Sequence, residues 1–247
     1  MPSTSETGHA KNVANFQDLI SFCTGYSSYN PTSVPLSLAS LIAKHTAART
    51  ALSNLTVEQT NFNNAVNNRK IAFDGLKQLA TRVINAFDAS GVGDEAVKDA
   101  RTINRKLQGA RATKTEKPVV DNTPGAAPPA DNSISVSQQS YDQQIEHLSK
   151  LIAMLNASSA YSPNEADLTV ASLQAKQAAL QSANGAVINA YTLYSNSRIA
   201  RNEELYNPVT GLVPTAINVK KYIKSVFGTT SPQYKQVYGL LFKAYKE

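Results

Sequence analysis

Residues 29–69 read YNPTSVPLSLASLIAKHTAARTALSNLTVEQTNFNNAVNNR, and residues 161–201 read YSPNEADLTVASLQAKQAALQSANGAVINAYTLYSNSRIAR. The two stretches align without a gap at an offset of 132 residues, and thirteen of their forty-one positions are identical. Among these are Tyr29/Tyr161, Pro31/Pro163, Leu36/Leu168, Leu41/Leu173, Lys44/Lys176, Asn64/Asn196 and Arg69/Arg201. Chance in an alanine-rich chain would supply roughly four, so the chain reads as a duplication.

The same offset carries the segment in front. Val13, Phe16, Leu19, Ile20 and Cys23 meet Ile145, Leu148, Leu151, Ile152 and Leu155, and spacings of three, four and seven put each set on one helical stripe. Further on, Phe87 and Val97 correspond to Phe227 and Val237 at a larger offset, which places an insertion around Asn207-Pro208-Val209-Thr210-Gly211. Each copy reads as a short helix, a long helix from about Pro35 to Asn63 (or Pro163 to Ser195), a third from about Arg69 to Ala89, and a short fourth. In the second copy Pro208 and Pro214 should break the third helix.

The predicted fold class is therefore all-α, with two tandem copies of a bundle unit of about four helices, forming two bundles or one fused layer. Residues 10–108 and 140–247 are the repeats. Residues 109–139, rich in Pro, Ala and Thr and without an apolar period, are expected to be a disordered linker or loop, and residues 1–9 a disordered start. Capping chemistry suggests the helix boundaries. Asn30-Pro31 and Ser162-Pro163 look like starts, with Glu165 completing a capping box, while Ser231-Pro232 and Gly93-Asp94 look like further starts. Gly228 looks like a stop.

Near its beginning, Gly8-His9-Ala10-Lys11-Asn12-Val13-Ala14-Asn15-Phe16, then Gly25-Tyr26 and Tyr29-Asn30-Pro31, the chain resembles an uncharacterised group of duplicated helical bacterial proteins. The resemblance covers most of the chain. It implies the helical duplicated fold and brings no activity with it.

Composition narrows the function classes. Formal charge is +6 and the isoelectric point near 9.3, a mild bias towards anionic partners. Charged residues make up 17% of the chain, below the ~25% usual for soluble domains. Such a surface repels its own copies weakly and suits self-association. Cys23 is the single cysteine; on an apolar helical face it reads as a core residue and fits a reducing compartment. The first residues lack a secretory pattern, and no run approaches the ~20 apolar residues of a membrane span. A cytoplasmic location is expected, with export without a cleavable signal as the alternative.

No constellation demands a reaction. The histidines are His9, His45 and His147, without the Glu-x-x-His spacing of a di-metal bundle, and adjacent Glu146 and His147 point about 100° apart on a helix. Ser90-Gly91-Val92-Gly93 lacks the lysine of a phosphate loop. Catalytic, cofactor-binding and metal residues are accordingly expected to be none, and cofactors none. The candidate polyanion-binding residues are Lys220, Lys221, Lys224, Lys235, Lys243 and Lys246 among Tyr222, Tyr234, Tyr238 and Tyr245, with Lys98, Arg101 and Arg105 in the first copy. Against this stands a solvated lysine face with tyrosines in helix contacts. Alanine rows, Ala43, Ala47, Ala51 and Ala175, Ala179, Ala183, suggest close helix packing inside the fold, or a surface where subunits meet. The leading expectation is a non-catalytic structural or interaction protein that meets itself or another protein. A binder of nucleic acid or another polyanion comes second, and an enzyme of unrecognised type third.

Overall fold

The computed structural model describes residues 8–109 and 139–245, and these residues are helical without a strand. In chain order they form α1 (His9–Gly25), a 3-10 turn (Val34–Leu36), α2 (Leu38–Phe73), α3 (Leu76–Ala89) and α4 (Asp94–Gln108). After the expected linker come α5 (Tyr141–Ala157), α6 (Val170–Tyr206), α7 (Leu212–Phe227) and α8 (Pro232–Tyr238). Of the regions expected to be disordered, only Gly8, His9, Gly109 and Gln139 are described. His9 opens α1, and Gln139 donates from Nε2 to the Lys106 carbonyl at 2.7 Å in the last turn of α4.

The apolar stripes decide what is buried. Val13, Phe16, Leu19, Ile20 and Cys23 all lie in the core of one compact unit, and Ile145, Leu148, Leu151, Ile152 and Leu155 in the core of the other. One unit is drawn from the chain up to Asn64 together with Asn189 onward; the other is Ala65–Ile188. In the first, α1 packs on α7 and α8, with Leu41 and Ala48 of α2 and Leu205 of α6 completing the core. In the second, α5 packs on α4, α4 on α3, and Leu173 and Leu180 of α6 close the cluster. Each compact unit thus takes helices from both of the expected repeats, residues 10–108 and 140–247.

Several boundaries differ from the sequence reading. The expected starts at Pro31 and Pro163 are loops, because each tyrosine pins the segment behind it: Tyr29 Oη donates to the Leu36 carbonyl at 2.6 Å, and Tyr161 Oη to the Leu168 carbonyl at 2.8 Å. The caps that start the long helices are Ser37 and Thr169, whose hydroxyls each accept from the amide three residues on, at 3.3 Å. Glu165 sits in a turn instead of a capping box, its carbonyl accepting from the Leu168 amide. The first long helix does not stop at Asn63. It runs through the asparagine-rich stretch to Phe73, and the break comes at Gly75, which takes a left-handed φ of 73°.

The fourth helix of the first copy is not short, spanning 15 residues against 7 for α8. Pro208 falls in the break between α6 and α7 as expected, but Pro214 does not break α7. It lies in the first turn, where its missing amide costs no internal bond. The starts at Ser231-Pro232 and Gly93-Asp94 and the stop at Gly228 lie where the capping residues place them.

Candidate functional site

The basic end lies on α7, α8 and the segment after them. Lys220 is not a free cation for a ligand: its Nζ donates to the carbonyls of Tyr238 at 2.9 Å and Leu240 at 3.0 Å, satisfying the end of α8. Burial lowers its pKa below the ordinary lysine value. Lys221, Lys224, Lys235 and Lys243 are exposed, with Lys224 Nζ 6.0 Å from the Tyr234 ring centroid. Lys246 lies outside the described residues.

The tyrosines are engaged within the fold. Tyr222 meets Tyr29 edge-on at 5.4 Å, Tyr234 meets Tyr238 at 5.9 Å, and Tyr245 meets His9 at 5.4 Å.

The first-copy cations belong to the other unit. Lys98 pairs with Glu95 at 2.6 Å and Arg101 with Asp88 at 2.7 Å, which offsets their charge locally. Arg105 is exposed near the end of α4.

Groups that could do chemistry are poorly placed for it. Cys23 is buried, and burial pushes its thiol up to about 12, so the thiolate is scarce at neutral pH. His45 and His147 are buried, and desolvation lowers both pKa values. Glu146 turns to Lys150 at 3.1 Å. Among the described residues, no three His, Cys, Asp or Glu side chains gather as a metal site, and no helix is long and apolar enough to cross a membrane. A shallow cleft of about 480 Å³ between the ends of α3, α4 and α5 is lined by Phe87, Val92, Ala96, Met154, Ala157 and Ser158, none of which ionises near neutral pH.

The alanine rows face outward, so their reading as internal packing is corrected. Ala43, Ala47, Ala175 and Ala179 are exposed and Ala51 and Ala183 half-buried, because Leu41, Ala48, Leu173 and Leu180 hold the core-facing positions. The middles of both long helices bury little: no residue from Arg49 to Ala72 of α2, or from Ile188 to Ala200 of α6, is fully buried. Large apolar side chains stand in water there, with Val57, Ile71, Ile188, Leu193 and Ile199 each more than half exposed.

Sequence reasoning missed one polar cluster. On α1, buried Asn12 and Asn15 bind the main chain of the segment after α8, and His9 Nδ1 lies 2.6 Å from Tyr206 Oη. The residues were visible at the start of the chain, but their partners lie more than 190 positions away. No protein-family model, curated protein or solved structure matches the chain.

Proposed function

We propose that this chain is a duplicated, non-catalytic helical protein of the cytoplasm that assembles with copies of itself or with a protein partner through its long helices. The observation that carries this reading is the exposed, uncharged row on α2: Ala43, Thr46, Thr50, Ser53, Val57 and Thr60 all face solvent at alternating steps of three and four. That is the spacing of a helix–helix seam, and small side chains let a second helix approach closely. On α6, Asn189, Thr192, Asn196 and Ile199 form a similar exposed row. The Tyr-to-carbonyl bonds at Tyr29 and Tyr161, and the caps at Ser37 and Thr169, recur at the 132-residue offset and support the duplication. Gel filtration with light scattering over a tenfold concentration range tests the assembly. The mass should rise with concentration and be unaffected by salt or added DNA; a constant monomer mass at every concentration would remove assembly with copies of itself.

The second reading is polyanion binding through Lys221, Lys224 and Lys235, favoured by their exposure on α7 and α8. Lys221→Gln with Lys224→Gln is the informative variant, since Lys220 holds α8 and its loss would disturb the fold. Weaker DNA retention with a flatter salt dependence would support this reading.

A further inference from the structure

The ends of α1 and α5 are built alike. The helices close on Tyr26 and Ser158, which stand 132 residues apart, with nearly the same backbone: φ −91° and ψ 109° at Tyr26, φ −99° and ψ 112° at Ser158. Each donates its amide to the carbonyl three residues back, of Cys23 or Leu155, and its carbonyl accepts from the tyrosine amide three residues on. The side chains that leave these matched positions are a phenol at Tyr26 and a small hydroxyl at Ser158.

The difference decides how the space beyond is filled. In the unit that holds α1, the Tyr26 ring lies edge-on to Phe227 at 5.4 Å and stacks on Phe22 at 6.5 Å. Its hydroxyl has acceptors in Gln236 Oε1 at 2.8 Å and the Gln233 carbonyl at 3.0 Å. In the unit that holds α5, the 132-residue offset puts Met154 in the place of Phe22. The offset of 140 residues that relates Phe87 to Phe227 puts Gly93 in the place of Gln233 and Ala96 in the place of Gln236. Phe87, Gly93, Ala96, Met154 and Ser158 all line the cleft of about 480 Å³ described above. Ser158 and Ala96 are far smaller than Tyr26 and Gln236, so this lining does not close on itself. The volume falls within the ~300–1,000 Å³ of small-molecule sites.

We propose that this cleft binds a neutral phenol ring, the group that the α1 unit supplies from its own chain. The ring lies against Phe87 and the Met154 thioether, both of which favour aromatic contact. The Gly93 carbonyl and the hydroxyls of Ser158 and Ser159 are the hydrogen-bond partners for the phenol group. A charged ligand is disfavoured because the lining has no ionic group to compensate it. The site is independent of assembly through the long helices.

Met154 reports on the cleft directly, since Met1 is the only other methionine of the chain. The test titrates p-cresol into the full chain, labelled with carbon-13 at the methionine methyls, and follows both resonances by NMR. The Met154 methyl should move saturably while Met1 stays in place. Toluene, which has the ring without the hydroxyl, should bind about threefold more weakly or worse. Ser158→Tyr supplies the ring from the chain itself, so it should abolish the p-cresol response and raise the thermal midpoint. Ala96→Leu narrows the cleft from α4 and should weaken binding roughly tenfold; it decides the matter if Ser158→Tyr does not fold. N-acetyltyrosinamide separates the sources: tighter binding than p-cresol assigns the ring to a tyrosine presented by a polypeptide, and weaker binding assigns it to a free phenol. A Met154 methyl without a saturable response, equal affinity for toluene, or undiminished binding by the folded variants overturns the proposal.

Discussion

His147 occupies on α5 the position that Asn15 holds on α1 at the 132-residue offset, and the two meet burial differently. Asn15 has a carbonyl partner, while neither ring nitrogen of His147 has one. Burial chiefly, with Lys150 and Lys106 nearby and Glu146 opposing them, lowers the His147 pKa. The unfolded chain, with an ordinary histidine pKa near ~6.5, then binds more protons below that pH than the folded one. Stability is full above about pH 7 and falls as the pH drops towards 5, and His45 adds to the slope. His147→Leu should raise stability by about 1 kcal/mol through removal of unsatisfied nitrogens, and should flatten the pH dependence; urea unfolding at pH 7.5 and 5.5 measures both. Tyr29→Phe and Tyr161→Phe each remove one hydroxyl bond to a carbonyl seven residues on, so each should cost about 1 kcal/mol in the same assay. At this scale the apolar stripes were legible, since Phe16 and Leu148 follow helical spacing. Asn12, Asn15 and His147 were not, because a polar residue is placed inside by partners that local sequence does not name.

Among the elements, the decisive punctuation is Gly75. With φ of 73° it ends α2 and begins α3, a conformation that costs an L-residue about 1–2 kcal/mol. Gly75→Ala should destabilise by that amount, read as a lower midpoint in thermal unfolding, although open space surrounds the site. The asparagine-rich stretch at 61–68 looked like the end of the helix, yet asparagine is only weakly unfavourable in helices and the helix continues. Lys220→Met should leave the carbonyls of Tyr238 and Leu240 without their donor. Amide exchange is then expected to quicken in α8 and the following residues while α5 is unaffected. The start at Ser231-Pro232 was legible because cap and proline stand side by side. Those at Ser37 and Thr169 were hidden behind prolines that look like better starts.

In the whole molecule, the repeats expected from the sequence and the compact units in space divide the chain differently. Sequence similarity marks segments of common pattern. It does not say which copy of α7 or α3 a given first helix will pack against, because both stripes are equally apolar. Since α1 packs on α7 and α8, and α5 packs on α4 within a core that α3 completes, neither half carries a complete core. Residues 1–109 and 139–247 expressed apart should each lack a cooperative thermal transition, and mixing them should restore one. Two fragments that each melt cooperatively alone would contradict this pairing. The same arrangement has a consequence for how the protein is made. Asn12 finds its partner at Lys243, 231 residues later, and at ~5–20 residues per second synthesis takes roughly 10–50 s to cover that distance. Leu41 and Ala48 of α2 can cover part of the α1 stripe early, but α7 and α8, which pack on it, are the last of the described helices to be made. For most of that interval the nascent chain therefore shows an incompletely covered stripe that a chaperone or a neighbouring chain can shield.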